Sequence, residues 1–319
     1  MDAALYYRPS GRISPMVLPA LLASIVGIWP FAWLYAWICD NIPFIYLDVF
    51  ATLGYSIVAA CFVYMAAAIG KARNPIIMGV LGWLFATIAW YVQWACWLNI
   101  VVHEHPADLP LEIAQANSMV FSVHPEWIFA FMASLLKHGA WTFRSLHVSG
   151  IISAICWVAE YVIIISFPIY LGYMVAGSPY CEGEQHRANE KEMKLRFKLI
   201  EDTAEFVRQA EAEPDALSHL LKRAHDDVHD HAKLTIWVCG EGEDCYATVE
   251  NVTHTWKDGK RKEEETLVLR YLRISWQAAQ VYLHKSAEIE KRQEERKAEK
   301  AKAAEEKAKK ADDETAQSH

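Results

Sequence analysis

The sequence predicts an α-helical membrane bundle of four transmembrane helices, followed by a small cytosolic α+β domain and a charged helical tail. Four apolar stretches, at 15–39, 42–69, 76–102 and 150–176, predict the bundle. Each reaches the roughly 20 residues that a helix needs to cross a hydrocarbon core about 30 Å thick. After about residue 178 the composition shifts to Glu, Lys, Arg, Asp and His, which is typical of a soluble domain.

These shifts in composition divide the chain into three segments. Residues 1–177 form the four-helix transmembrane domain, which includes an outer amphipathic segment at 103–149. Residues 178–284 form the α+β domain, and residues 285–319 form a charged helical or disordered tail. The net charge of −8 argues against a nucleic-acid partner, because a phosphate backbone attracts a basic surface.

The basic residues predict which side of the membrane each loop faces. Arg8 and Arg12 precede the first span, Lys71 and Arg73 lie between spans two and three, and several bases follow span four. The turn between spans one and two has none. Since Lys and Arg accumulate on the cytoplasmic side, we expect a multi-pass membrane protein with both termini in the cytoplasm. The seven cysteines form no disulfide framework, so we expect reduced thiols.

The segment between spans three and four is more than a plain loop. Residues 109–123 and 125–138 predict two short helices, and Pro125 suits a first helical position. Aromatic residues near the ends of membrane helices favour a belt at the lipid headgroups. The tryptophans that cluster toward one end of spans one and three are Trp29, Trp33, Trp37, Trp94 and Trp97.

Three polar side chains lie within the predicted spans: Asp48, Gln93 and Glu160. A charge in the middle of a membrane helix costs roughly 2.5–3.5 kcal/mol on insertion scales, so such residues require an explanation. One interpretation is an ion or proton site. The other is that these side chains hydrogen-bond across helices and hold the bundle together.

Hydrophobic periodicity predicts the elements of the soluble half. Residues 185–213 predict a long helix and 216–225 a second one. Alternating residues at 234–238, 244–256 and 265–274 predict about three antiparallel strands, and Asp258-Gly259 favours a hairpin turn. The chain turns helical again at Trp276.

Two clusters in the soluble half could bind a metal. Cys181, His186, Cys239 and Cys245 would complete a tetrahedral zinc site, and the alternative is a hairpin loop with unligated thiols. His225 and His229 share a helix face at four-residue spacing, and an exposed helix end explains them as well. No nucleophile with a positioned base and no phosphate-binding glycine loop is present in the sequence, which disfavours an enzyme.

Several stretches resemble an uncharacterised family of bacterial four-span integral membrane proteins. The stretches that carry the resemblance are 6–11 (Tyr-Tyr-Arg-Pro-Ser-Gly), 42–46, 150–165 with its Trp157 and Glu160, and 178–182. The resemblance covers the spans and the start of the soluble half. It implies cysteine pairs in the cytosolic part and hence a metal. This chain departs from that pattern, because Cys239 and Cys245 are separated by more than the two residues of a zinc knuckle.

These observations favour a non-enzymatic scaffold or sensor that is anchored in the lipid bilayer and binds a protein partner through its cytosolic domain. An oligomeric channel or ion-conducting assembly that uses the intramembrane polar residues is the alternative. A membrane enzyme of unknown chemistry is the third interpretation. A homo-oligomer is compatible with each.

Overall fold

The structure, a computed structural model, describes residues 5–42, 45–104, 111–138, 141–143, 146–148, 150–224, 229–240, 244–257, 260–292 and 295. Most of the predicted charged tail at 285–319 therefore lies outside the described residues. Clustering of the described contacts separates two units, which are Pro9–Ser178 and a second unit of Met1–Arg8 with Pro179–His319.

Four long helices confirm the predicted spans to within three residues at each end. They are α1 (Val17–Asn41), α2 (Ile45–Ile69), α3 (Pro75–Glu104) and α7 (Ile151–Gly177). All four are long and apolar enough to cross a membrane. In the bundle, α1 and α7 each pack against both α2 and α3, so α1 and α7 occupy diagonal positions.

Glycines bring the backbones of α3 and α7 close together. A Cβ atom added at Gly82 would lie 2.6 Å from the carbonyl oxygen of Pro168. A Cβ atom at Gly172 would lie 2.8 Å from the carbonyl oxygen of Met78. Small residues at such crossings permit the close packing that drives helix association in lipid, where no hydrophobic effect between helices is available.

A proline inside α7 is accommodated by a hydroxyl group from α2. Pro168 has no N–H group and cannot donate to the carbonyl of Ile164, four residues earlier. The Ser56 hydroxyl instead donates to the carbonyl oxygens of Ile163 and Ile164, each at 2.9 Å. Since lipid supplies no hydrogen bonds, this contact keeps the freed carbonyl group satisfied.

In the part of the segment between α3 and α7 that the structure describes, the chain forms three short helices and a small hairpin. The helices are α4 (Leu111–Ala114), α5 (Ser118–Val123) and α6 (Pro125–His138), and the strands are β1 (Trp141–Phe143) and β2 (Leu146–Val148). The predicted helix at 125–138 is confirmed, the one at 109–123 is divided into α4 and α5, and the hairpin was not predicted. Phe121 and Ile128 pack with Trp94 in a second apolar cluster. Trp94 is 1% exposed, so the prediction that it belongs to an exposed aromatic belt is wrong. Trp33 and Trp37, which were predicted to belong to the same belt, are exposed.

The soluble unit contains a two-stranded hairpin and a four-stranded antiparallel sheet. The hairpin joins β3 (Tyr180–Cys181) to β4 (His186–Arg187). The sheet has the strand order β5-β6-β7-β8. Its strands are β5 (Asn189–Lys198), β6 (His231–Val238), β7 (Cys245–Lys257) and β8 (Lys260–Ile274).

One face of this sheet carries the core of the domain. The short helices α8 (Thr203–Ala212) and α9 (Leu217–Leu220) and the helix α10 at 276–292 supply apolar side chains to it. The N-terminal segment adds to the far edge of the sheet, because the Tyr7 amide donates to the Tyr271 carbonyl and the Arg273 amide donates to that of Leu5. The domain therefore receives chain from both ends of the protein.

The predicted long helix at 185–213 is wrong over its first half. Met193, Leu195 and Phe197 are buried while the residues between them are exposed, which is the two-residue alternation of β5. The four-residue spacing of Met193 and Phe197 fits a helix as well, and only the burial of Leu195 between them marks a strand. The second predicted helix, at 216–225, is likewise reduced to the short α9.

The glycine contacts predict a graded response to alanine. Gly82→Ala and Gly172→Ala should each lower the free energy of unfolding by about 1–3 kcal/mol, because a backbone carbonyl occupies the position of the new methyl group. Gly79→Ala is the matched control, since its Cβ atom would lie 3.9 Å from the nearest atom, a side-chain carbon of Tyr173. Reversible unfolding in mixed detergent measures all three. Equal effects at Gly79 and Gly82 would contradict the close helix crossing.

Candidate functional site

A network of polar side chains lies inside the bundle and is centred on Glu160 of α7. Its carboxylate Oε1 accepts hydrogen bonds from the Tyr35 hydroxyl of α1 at 3.0 Å and from the Gln93 amide of α3 at 3.2 Å. Tyr35 also lies 2.9 Å from the Thr52 hydroxyl of α2. The network therefore draws one side chain from each of the four long helices.

The donors in this network follow from the few hydroxyl protons that are available. Tyr35 has a single hydroxyl proton, and a carboxylate can only accept, so Tyr35 donates to Glu160. The Thr52 hydroxyl donates to the Asp48 backbone carbonyl at 2.7 Å, and its oxygen lies 2.9 Å from that of Tyr35. The arrangement is a chain of hydroxyl groups that ends on a carboxylate.

The predicted intramembrane residues are only partly united. Glu160 and Gln93 are in direct contact, and Gln93 is 4% exposed. The Asp48 side chain takes no part in the hydrogen bonds to Glu160. Its Oδ1 atom is buried without a hydrogen-bond partner among the described residues. Sequence reasoning missed Tyr35 and Thr52, because hydroxyl groups are common in apolar helices and carry no charge to mark them.

The hydrogen bond between Tyr35 and Glu160 joins the two diagonal helices of the bundle. Both α1 and α7 pack on α2 and α3, so this bond crosses the centre of the bundle. The two helices it connects are also those nearest to the soluble domain along the chain. Tyr7 lies in the sheet ten residues before α1, and β3 begins three residues after the last residue of α7.

The structure places the four predicted zinc ligands in a different arrangement. Cys181 of β3 and Cys239, which follows β6, form a disulfide bond with a Cα–Cα distance of 5.6 Å. The expectation of reduced thiols is therefore wrong for this pair. The two cysteines are 58 residues apart, so their spacing in the sequence does not indicate a disulfide bond. The bond forms because the fold brings β3 beside the end of β6.

The other two predicted ligands are engaged elsewhere. The His186 ring contacts the Glu184 carboxylate and the Arg187 carbonyl. Cys245 is buried in the main core, where desolvation raises the pKa of its thiol. Among the described residues, no three His, Cys, Asp or Glu side chains form a group that could hold a metal ion. The predicted zinc site would therefore require the reduced form of the domain.

The predicted His225–His229 helix face is not tested, because His225 lies outside the described residues. His229 does appear, and it lies beside His254 of β7 with 6.0 Å between ring centroids. His231 is the first residue of β6, where the chain is a strand. These histidines therefore belong to the end of the sheet.

The β7–β8 hairpin extends past the rest of the sheet. β6 pairs with β7 only as far as Val252, whereas β7 and β8 continue to pair with each other up to Lys257 and Lys260. We call residues 253–257 and 260–264 the hairpin arm. Trp256 on this arm is 76% exposed and pairs in register with Arg261.

Comparison with protein-family models, curated proteins and solved structures finds no match for the chain.

The polar network predicts energetic coupling between α1 and α7. Tyr35→Phe and Glu160→Leu should each destabilise the bundle, and a double-mutant cycle should give a coupling energy of about 0.5–1.5 kcal/mol, the range of interhelical hydrogen bonds in membranes. Reversible unfolding in mixed detergent supplies the four free energies. Tyr170→Phe on the exposed surface of α7 is the matched control and should not couple to Glu160→Leu. Zero coupling for Tyr35 would refute the bond.

The disulfide predicts the thiol count of protein purified without reductant. Iodoacetamide should modify five of the seven cysteines in denaturant, and all seven after reduction, as read by intact mass. Cys239→Ser should give the same mass increase with and without reductant. Cys61→Ser, at an exposed free cysteine, should keep the difference. Modification of all seven wild-type cysteines without reductant would exclude the disulfide bond.

Proposed function

We propose that this chain is a non-enzymatic scaffold or sensor of the bacterial inner membrane whose soluble domain binds a protein partner. The observation that supports this most directly is the exposed Trp256 on the hairpin arm. Tryptophan and arginine dominate the energetics of protein interfaces, and the arm presents Trp256 beside Arg261. A large aromatic side chain that is three-quarters exposed contributes little to the stability of its own domain.

The connections of the domain to the spans support a role in signalling. The sheet contains chain that precedes α1, and the β3–β4 hairpin follows α7 directly. Because the Tyr35–Glu160 bond ties α1 to α7 inside the bundle, a change at this bond would reach the domain through two chain connections. Two membrane helices that are bonded to each other, and that each continue along the chain into the same domain, are suited to a sensor.

The orientation of the domain is part of the proposal. The distribution of Lys and Arg favours a cytoplasmic domain. A disulfide in the cytoplasm is usually transient and responds to the redox state, whereas stable disulfides occupy oxidising compartments. We place the domain in the cytoplasm and assign the Cys181–Cys239 pair to a redox-dependent link between the hairpin and the sheet.

Site-specific photocrosslinking in the membranes of the native host tests the partner. A photoreactive amino acid at position 256 of the full-length chain should give one discrete adduct with a different protein, identified by mass spectrometry. Position 281 is the matched control, since Val281 is also an exposed apolar residue but lies on α10. Arg261→Glu should weaken the adduct at 256. An adduct with a second copy of the chain, or the same products at 256 and 281, would overturn the proposal.

A further inference from the structure

A cavity of about 460 Å³ lies where the hairpin arm leaves the sheet. This volume falls within the range of small-molecule sites in proteins. Three imidazole rings, two guanidinium groups and one carboxylate line it: His229, His231, His254, Arg196, Arg261 and Glu263.

The register of the strands gathers these side chains. Leu195 and Phe197 of β5 face the core, so Arg196 between them faces the opposite side of the sheet. His254 pairs with Glu263 across the arm. Arg261 precedes Glu263 by two residues in β8 and therefore lies on the same face of the strand. Residues from β5, β6, β7, β8 and the loop before β6 thus meet at one place.

Two of the histidines have their tautomers fixed by acceptors. The His231 Nδ1 atom lies 2.7 Å from the carbonyl oxygen of His229, which can only accept, so Nδ1 carries a proton. The His254 Nδ1 atom lies 3.3 Å from the Asp230 carboxylate, which also requires a proton there. In the neutral form of each ring, the Nε2 atom is then the acceptor.

Among the described residues at the cavity, the charged groups carry a small net positive charge even while the imidazoles are neutral. Arg196 and Arg261 offset Glu263 and Asp230, and Lys198 is the register partner of His231. Hydrogen bonds from the backbone and ring of His254 lower the pKa of Asp230, so this carboxylate stays charged in mild acid. Histidine is the side chain that gains a proton between pH 8 and 5, and each proton gained would leave the cavity more positive.

We propose that this cavity binds an oxyanion, a phosphate or sulfate group, and binds it more tightly as the histidines become protonated. Arginine supplies paired N–H donors that match the geometry of phosphate oxygens. Protonated imidazoles add further donors, and the anion relieves the repulsion among the neighbouring positive charges. The inference goes beyond partner binding, because it stands whether or not a protein contacts the arm.

Isothermal titration of the full-length chain in phosphatidylcholine nanodiscs with sodium sulfate tests the proposal. Sulfate keeps its double negative charge throughout this pH range, so any change in affinity comes from the protein. At constant ionic strength, the affinity should rise about tenfold or more between pH 8 and 5.5. The absence of saturable binding at pH 5.5, or an affinity that does not depend on pH, would overturn it.

Substitutions with opposite expected signs separate binding from a loss of fold. Arg261→Gln should weaken sulfate binding by about tenfold, because a charge-assisted hydrogen bond is lost. Glu263→Gln should strengthen it, because the carboxylate that lines the cavity loses its charge, and damage to the fold would not produce this gain. Arg208→Gln and His284→Asn are matched controls on α8 and α10 and should leave the affinity unchanged. Weakening by Glu263→Gln would contradict the proposed site.

Two further measurements identify the source of the anion and its relation to the partner. In nanodiscs that contain phosphatidic acid, a lower apparent affinity for sulfate would identify a lipid headgroup as the competing ligand. An unchanged affinity would identify a free oxyanion. Trp256→Ala should abolish contact with the protein partner and preserve sulfate binding, so failure of either proposal is recognised separately.

Discussion

The membrane unit depends on one constraint, which is that a bilayer offers no water to its polar groups. A polar group within the spans is therefore stabilised by a partner supplied by the protein itself. The Glu160 carboxylate finds two, the hydroxyl of Tyr35 and the amide of Gln93. The carbonyl group that Pro168 leaves without a donor is satisfied by Ser56. These contacts fix which helix faces meet, because no rotation or exchange of helices would preserve them.

The same constraint explains the small residues at the crossing of α3 and α7. Apolar side chains gain little from leaving lipid for a protein interface, so helices associate through close packing. Gly82 and Gly172 allow the two backbones to approach each other's carbonyl groups. Close contact and internal hydrogen bonds together give the bundle a single packing. The bond from Glu160 then connects its diagonal helices.

The α+β unit, in contrast, is built around an apolar core of its own. Its sheet buries one face against α8, α9 and α10 and leaves polar groups on the other. The hairpin arm and the histidine–arginine cavity both lie at the end of this sheet where β6 stops pairing. An interface residue, Trp256, and a set of titratable groups consequently share one region of the domain.

Local sequence determined the spans, the alternating strands β7 and β8 and the start of α10, because long apolar runs and strict alternation are read from neighbours along the chain. The predicted Asp258-Gly259 turn lies outside the described residues. Local sequence also marked Glu160 and Gln93, since polar side chains are conspicuous in an apolar helix. Only the tertiary structure united them with Tyr35 and Thr52, paired Cys181 with Cys239 across 58 residues, and brought Arg196 to His254. It also decided that Met193 and Phe197 belong to a strand, because their spacing fits both a helix and a sheet and only the core that covers Leu195 distinguishes them.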